Sequence, residues 1–365
     1  MPSFREGIGL TRNHKTAVEL SQEWLKENTK RYAFKKLERE IIQTGACVEC
    51  GSCVAGCPVD AITGERVESK YVPVLTGKCI ACGTCYAMCP RTAILDTDII
   101  GEYSNVWKVR ALNDHKRQDG GAVTAILGTM LEKKLIEAAI VVGHSDDNLW
   151  LPAAKKVATK DELLTSGGTF YTHAQVIEQM VNCFKENLSN IGVVGTACNI
   201  DAIHRLQSHP GSVFNVDSKP PTAFKVSLFC MESFDYKGLA GFLKKESIDI
   251  KKVDRFAIAK GEFMVTVDGE TKNWPIKDLD YIASSSCAYC TDFTGINSDL
   301  SCGNIGSDDG WTTVIVRSKQ GEQALKLAVK EGIIEAEKID DSALQAVINT
   351  ARSKMNKRYK LKSPH

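Results

Sequence analysis

The chain has 365 residues, 43% hydrophobic and 25% charged, which excludes a disordered or fibrous protein and leaves room for two or three compact units. Lys plus Arg number 46 against 45 Asp plus Glu, so no overall charge draws it to nucleic acid or to an anionic membrane. No apolar run approaches the ~18 to 20 residues that span a bilayer, and Met1-Pro2-Ser3-Phe4-Arg5 opens without the apolar stretch of a signal peptide. A cytoplasmic protein is expected, neither nucleic-acid-binding nor integral to a membrane. In that reducing compartment its 14 cysteines point to metal or redox roles before disulfides.

In chain order, residues 1–42 read as a helical N-terminal extension, with Ala17, Leu20 and Trp24, then Phe34, Leu37 and Ile41, recurring at spacings of three and four. Its other side carries Lys26, Lys30, Arg31, Lys35, Lys36 and Arg39, a solvated basic face. Residues 43–98 change character, because eight of the 14 cysteines fall there among small residues. The run Cys47-x-x-Cys50-x-x-Cys53-x-x-x-Cys57-Pro58 returns as Cys79-x-x-Cys82-x-x-Cys85-x-x-x-Cys89-Pro90, a repeat of 32 residues.

This is the bacterial ferredoxin spacing, in which three thiolates of one run wrap a 4Fe-4S cubane and the fourth reaches the other cluster. Cys47, Cys50, Cys53 and Cys89 are therefore expected on one cluster, and Cys79, Cys82, Cys85 and Cys57 on the second. Two zinc sites are the alternative, but zinc takes separated Cys-x-x-Cys knuckles rather than four packed thiolates in tandem. Gly51, Gly56, Ala81 and Gly83 leave backbone N–H groups free to approach sulfur and tune potential. Clusters exchange single electrons and perform no substrate step, so the substrate belongs to the remainder.

Residues 99–340 alternate β-like runs (137–142, 191–194, 223–229, 311–316) with helical or turn segments, an α/β pattern. Cys198 and Cys230 follow two of those strands, on the edge where open α/β sheets bind ligands, and Cys287 and Cys290 form a Cys-x-x-Cys loop. Iron–sulfur or zinc stays open for these four from the residues alone. Gly120-Gly121, Gly167-Gly168, and Gly303 with Gly306 supply backbone that a ring or pyrophosphate can approach closely. Cys183, on a helical pattern, reads as a packing residue. His144, His173, His204 and His209 form no catalytic arrangement. Residues 341–365 are a basic C-terminal helix or tail, in which Arg352, Lys354, Lys357, Arg358, Lys360 and Lys362 suggest an end that frays from Ala351.

Four segments resemble the family of the F420-reducing hydrogenase beta subunit, which also holds the electron-input subunit of F420H2 dehydrogenase and the beta subunit of F420-dependent formate dehydrogenase. They are Arg117-Gln118-Asp119-Gly120-Gly121-Ala122-Val123-Thr124-Ala125-Ile126-Leu127, Gly195-Thr196-Ala197-Cys198-Asn199-Ile200-Asp201-Ala202-Ile203, Leu228-Phe229-Cys230-Met231-Glu232-Ser233-Phe234-Asp235-Tyr236, and Cys287-Ala288-Tyr289-Cys290 through Asp299-Leu300-Ser301-Cys302-Gly303-Asn304-Ile305-Gly306-Ser307 to Gly310-Trp311 and a strand into Arg317. With the double-cluster run, the resemblance implies a small bacterial-ferredoxin-like domain with two 4Fe-4S clusters fused to a larger α/β flavin domain, α+β to α/β in class.

It further implies FAD, a third 4Fe-4S cluster on Cys198, Cys230, Cys287 and Cys290, and coenzyme F420 as substrate. Gly120, Gly121, Thr124, Gly167, Gly168, Thr196, Asn199, Gly303 and Gly306 are the implied flavin contacts, and Lys156, beside Lys155, is a candidate for the acidic tail of F420. Thr165-Ser166-Gly167-Gly168-Thr169-Phe170-Tyr171 departs from the family by lacking a basic residue before the tyrosine. The implied reaction is hydride transfer between F420H2 and FAD in either direction, with single electrons relayed to or from a partner protein or larger complex. Such a complex can be membrane-bound with this chain peripheral to it, and F420 implies a methanogenic or related archaeal source. No side chain is assigned acid–base work. The rival readings are a ferredoxin-linked FAD/iron–sulfur reductase of another organic substrate and a non-catalytic electron-transfer adaptor.

Overall fold

A computed structural model describes residues 33–47, 49–67, 70–92, 98–113, 117–145, 150–208, 214 and 221–357. Ala17, Leu20, Trp24, Lys26, Lys30, Arg31, His209 and the basic residues from Arg358 onward lie outside them. Two compact units divide the chain. The larger comprises Glu102–Cys287 and Asp292–Val347; the smaller takes the described residues up to Gly101, with Ala288–Thr291 and the chain from Ile348.

In the small unit, Phe34, Leu37 and Ile41 are all buried, as their spacing predicts. They lie on α1 (Phe34–Leu37) and on a wider π-type turn, Glu38–Ile42, where the Gln43 N–H donates to the Glu38 carbonyl at 2.8 Å. The two cysteine runs fold alike: Gly51 (φ 74°) precedes the short helix α2 (Ser52–Ala55) and Gly83 (φ 78°) precedes α3 (Thr84–Ala87). Two residues earlier in each run the backbone is again left-handed, at Glu49 (φ 58°) and Ala81 (φ 56°). Between the runs an antiparallel hairpin, β1 (Ile62–Val67) and β2 (Lys70–Leu75), pairs Ile62 with Leu75 and Val67 with Lys70.

The large unit is built on one mixed sheet. Its parallel centre follows chain order: β4 (Ala138–His144) beside β6 (Asn190–Thr196), β7 (Thr222–Leu228) and β11 (Leu300–Gly303). Antiparallel strands complete it, β5 (Pro152–Val157) outside β4, and β12 (Thr312–Val316), β3 (Asn105–Ala111) and β13 (Ile334–Lys338) beyond β11. The sequence pattern predicts alternating strands and helices; the observed sheet is mixed because both flanks return antiparallel. One apolar core packs α4 (Ala122–Glu132) and α9 (Lys319–Lys330) through Ile126, Leu127, Leu325 and Ala328 against Val109, Val226, Leu300 and Val314. A second core, with Ile140, Met180, Ile191, Val193 and Ile203, joins α6 (Val176–Lys185) and α7 (Ala197–Ser208) to the sheet.

Helix ends follow local chemistry. Preceding α5 (Lys160–Leu164), the Thr159 hydroxyl accepts the Glu162 N–H at 3.2 Å and the Glu162 carboxylate accepts the Thr159 N–H at 3.2 Å. Before α8 (Tyr236–Lys245), Asp235 accepts the Gly238 N–H at 2.8 Å. After α8 comes a three-stranded antiparallel sheet, β8 (Val253–Ala259), β9 (Glu262–Val267) and β10 (Glu270–Pro275), whose core holds Trp150, Phe234, Phe242, Phe256 and Phe263. Cys183 and Cys302 are buried within apolar clusters, at 0% and 1% exposure. The basic end does not fray at Ala351: α10 runs Asp341–Lys357, with Arg352 and Lys354 buried.

Candidate functional site

Two cavities in the small unit gather the eight ferredoxin-type cysteines. Cys79, Cys82 and Cys85 line one together with Cys57; Cys47, Cys50 and Cys53 line the other together with Cys89. Three thiols come from one run and the fourth from its repeat. The left-handed residues turn amides inward, so the Glu49 N–H donates to Cys47 Sγ and the Ala81 N–H to Cys79 Sγ, both at 3.4 Å, and the Ala61 N–H to Cys57 Sγ at 3.3 Å. Burial and then neighbouring thiols push Cys53 up to about 11 and Cys85 up to about 12; burial first also raises Cys89. A cluster takes these sulfurs as thiolates, so iron binding there displaces their protons. These cavities and their donor sets fit two 4Fe-4S clusters.

In the large unit the C-terminal ends of β4, β6, β7 and β11 lie on one edge of the sheet, and β12 starts there. Cys198 stands in the first turn of α7, just beyond β6, with the Thr196 hydroxyl 3.2 Å from its sulfur. Cys230 follows β7, and its N–H donates to the Phe293 carbonyl at 3.0 Å. Cys287 accepts the Ser233 N–H at 3.3 Å. Cys290, three residues further on, belongs to the segment Ala288–Thr291 that groups with the small unit.

The glycines divide sharply. A Cβ at Gly120 would collide with the Val109 carbonyl and lie 2.7 Å from the Thr312 N; one at Gly303 would collide with the Phe229 ring; one at Gly306 would reach the Ala343 carbonyl at 2.8 Å. Those three are demanded by the protein's own packing. Gly121 (φ 74°) starts α4, whose first turn receives no side-chain cap and holds the half-buried Thr124. Gly168 (φ 120°) has nothing within 4 Å of its Cβ position. It lies with Gly167 on the connection from α5 to the Thr172–Phe234 bridge.

Thr196 and Asn199 engage each other: Asn199 Oδ1 accepts both the Thr196 N–H (3.1 Å) and its hydroxyl (2.9 Å). Lys156 is not brought to this edge. It sits opposite Ile140 near the start of β4 and pairs in the open with Glu186 at 2.6 Å.

Sequence reading missed the polar group beside Gly120. Arg255 donates to the Gln118 carbonyl at 2.8 Å, and the side-chain amide of Gln118 donates to the Phe256 carbonyl at 3.3 Å. Burial raises the Asp119 carboxyl, and it raises the nearby Tyr171 hydroxyl further. Gln118 Oε1 and Thr172 Oγ1 are buried without a hydrogen-bond partner. Orphaned acceptors are costly unless something satisfies them. With the uncapped start of α4 and the open Gly168, this edge fits a dinucleotide.

Residues 188–342 match the family described as the C terminus of the coenzyme F420 hydrogenase/dehydrogenase beta subunit, residues 106–180 match the family described as the N terminus of the same beta subunit, and residues 27–94 match a 4Fe-4S dicluster domain. The chain is 34% identical to the coenzyme F420 hydrogenase subunit beta of Methanococcus voltae, over 66% of this chain and 86% of that one. It is 33% identical to the coenzyme F420-dependent sulfite reductase of Methanocaldococcus jannaschii over 80% of its own length, spanning 48% of that relative. Among solved structures, a chain of the F420-reducing [NiFe] hydrogenase complex from Methanosarcina barkeri superposes with a TM-score of 0.67 at 30% identity, covering 72% of this chain and 92% of that one. The chain belongs to the family of coenzyme F420 hydrogenase/dehydrogenase beta subunits and carries a 4Fe-4S dicluster domain in its N-terminal part. No helix among the described residues is long and apolar enough to cross a membrane.

Proposed function

We propose that the chain is a coenzyme F420 oxidoreductase subunit that exchanges a hydride between F420H2 and FAD and relays single electrons, through three 4Fe-4S clusters, to or from a partner protein. The observation that carries this reading is the placement of the orphaned acceptors of Gln118 and Thr172, the Gly120–Gly121 turn and the thiols of Cys198 and Cys230 around one edge of one sheet. A pair-accepting ring and a one-electron acceptor would be neighbours there.

Bound at this edge, FAD would supply the conversion between a two-electron hydride and the single electrons that clusters carry. The protein's own part is placement. Backbone N–H groups of the first turn of α4, uncapped and preceded by Gly121, would receive a pyrophosphate, and the absent side chain at Gly168 would admit a ring or ribose. Thr172 and Gln118 would satisfy their buried oxygens on donors of the bound group. Cys198, Cys230, Cys287 and Cys290 would hold the third cluster; the N–H from Ser233 to Cys287 Sγ favours its anionic sulfur. The eight cysteines of the small unit would hold the other two, crossed as their cavities are lined. The chain's own residues would bind and orient the two groups, and none is assigned as acid or base for the hydride transfer itself. The site is proposed to act in the cytoplasm, with the chain at most peripheral to a membrane complex.

Anaerobic purification followed by iron and flavin analysis, then dye reduction with F420H2 against NADH and NADPH, tests this. About twelve irons, one FAD and bleaching by F420H2 are expected. Reduction by NADH alone refutes the F420 assignment, and a protein without flavin is an electron-transfer adaptor.

A further inference from the structure

The loop after the Cys-x-x-Cys pair is held by a charge that the hydride and relay chemistry does not employ. Asp292 accepts three amides, from Thr294 at 3.0 Å, Gly295 at 2.7 Å and Ile296 at 2.9 Å, and folds residues 292–296 into a tight turn. Gly295 (φ 76°) is forced at its centre, because a Cβ would collide with the Ser227 hydroxyl. Arg317, at the end of β12, reaches into this turn. Its guanidinium donates to Thr294 Oγ1 at 2.9 Å, to Ser301 Oγ at 2.7 Å and to the Glu102 carbonyl at 2.9 Å. Thr294 and Ser301 are fully buried, and a second hydroxyl, Ser298, lies 2.9 Å from Ser301.

Desolvation lowers Arg317 to about 10, opposed by Asp292 and Tyr103, so the group stays cationic at neutral pH. A cation held by three neutral acceptors keeps much of its field, and only Asp292 is set against it in the turn. One residue before Thr294, the Phe293 carbonyl accepts the Cys230 N–H at 3.0 Å, so Arg317, Thr294, Phe293 and Cys230 form a continuous path.

We propose that Arg317 is a positioning residue that sets the reduction potential of the third cluster: it pins the turn on which the Cys230 amide hangs, and its charge favours the cluster's reduced form. This inference rests on the third cluster proposed above. On reduction the cluster gains one electron, and with it one negative charge, which it then passes on; a fixed cation stabilises that added charge. For a unit charge acting in the effective dielectric that suits protein sites, the effect is about tenfold in the one-electron equilibrium. Tenfold corresponds to about 59 mV for a one-electron couple. Asp292 acts with the opposite sign.

The test uses the full chain purified anaerobically, with EPR-monitored redox titration of the wild type, Arg317→Gln, Arg317→Lys and Asp292→Asn. Iron analysis of the wild type and of Cys198→Ala comes first. If the wild type holds about eight irons and Cys198→Ala loses none, the third cluster itself is refuted, and this inference with it. With about twelve irons in the wild type, Arg317→Gln is expected to lower the potential of the Cys198-dependent signal by about tenfold in equilibrium, while Arg317→Lys retains most of it. Asp292→Asn, which keeps a side-chain oxygen for the Thr294 and Gly295 amides, is expected to raise it. If Arg317→Gln fails to fold, Asp292→Asn carries the test alone. A signal that does not move in Arg317→Gln, or that moves downward in Asp292→Asn, overturns the role of Arg317 and leaves the cluster assignment standing.

Discussion

Replacing Cys57 with Ala should remove the cluster of the second cysteine run rather than that of its own. Cys57 lines the cavity of Cys79, Cys82 and Cys85, whereas Cys89 lines that of Cys47, Cys50 and Cys53. A 4Fe-4S cluster carries four irons, so Cys57→Ala and Cys79→Ala should each lose about four. Combined, they strike the same cavity and should still lose about four, because a cluster can be lost once. Cys57→Ala with Cys47→Ala strikes both cavities and should lose about eight. The assay is iron and acid-labile sulfide per chain after anaerobic purification, with EPR of the dithionite-reduced protein to identify the surviving signals. An uncrossed arrangement reverses the two double variants: a loss of about eight for Cys57 with Cys79 and about four for Cys57 with Cys47 would refute the geometry argued here.

Gly120→Ala should destabilise the large unit by roughly 2 to 4 kcal/mol, since its Cβ would press on the Val109 carbonyl and the Thr312 N, which are backbone and cannot swing away; denaturant unfolding measures it, and a loss under about 0.5 kcal/mol contradicts the packing. Gly168→Ala, with open space but a φ of 120°, should cost about 1 to 3 kcal/mol in strain; equal flavin content in this variant and the wild type would remove Gly168 from the binding edge. Burial pushes the Cys302 thiol from an ordinary 9.0 up to about 12, so its contribution to stability is complete below pH 9 and disappears as pH rises toward 12. Cys302→Ala should therefore flatten the alkaline fall in stability, and an identical slope in the two proteins would show that this thiol does not titrate in the folded chain. Lys156→Met, which removes an exposed pair with Glu186, should change stability by at most about 1 kcal/mol and leave the KM for F420 unaltered; a KM rising tenfold would return Lys156 to the substrate site.

What could be read in advance was whatever depends on spacing. Phe34, Leu37 and Ile41 declare a buried helical face in one dimension, and the two cysteine runs declare a crossed partnership through the ferredoxin spacing, whose fourth sulfur follows a short helix and reaches towards the other cluster. The hairpin between the runs escaped notice because β1 buries Ile62 and exposes the five residues that follow, so no alternation marks it. Gly120, Gly303 and Gly306 read in the sequence as backbone left bare for a ring or pyrophosphate, whereas at each of them the protein's own carbonyls and rings already exclude a side chain, which spacing cannot reveal. Arg317 and Asp292 stood within the recognisable segments without a role, since their significance arises when residues 292–296 and the end of β12 meet in space. An aspartate followed three residues later by glycine was the available signal for the turn.

Strands β7 and β11 are hydrogen-bonded neighbours, although the chain leaves at Leu228 and comes back at Leu300. Everything in between, including the small aromatic-cored sheet of β8, β9 and β10, is an excursion from a ladder that closes whatever its contents. Closing a longer loop costs little extra free energy, since the penalty grows only logarithmically with length. Length can therefore be added at the turns of that small sheet, between β8 and β9 or between β9 and β10, while Cys230, Cys287 and Cys290 stay near the ends of the excursion and the flanking strands keep their register.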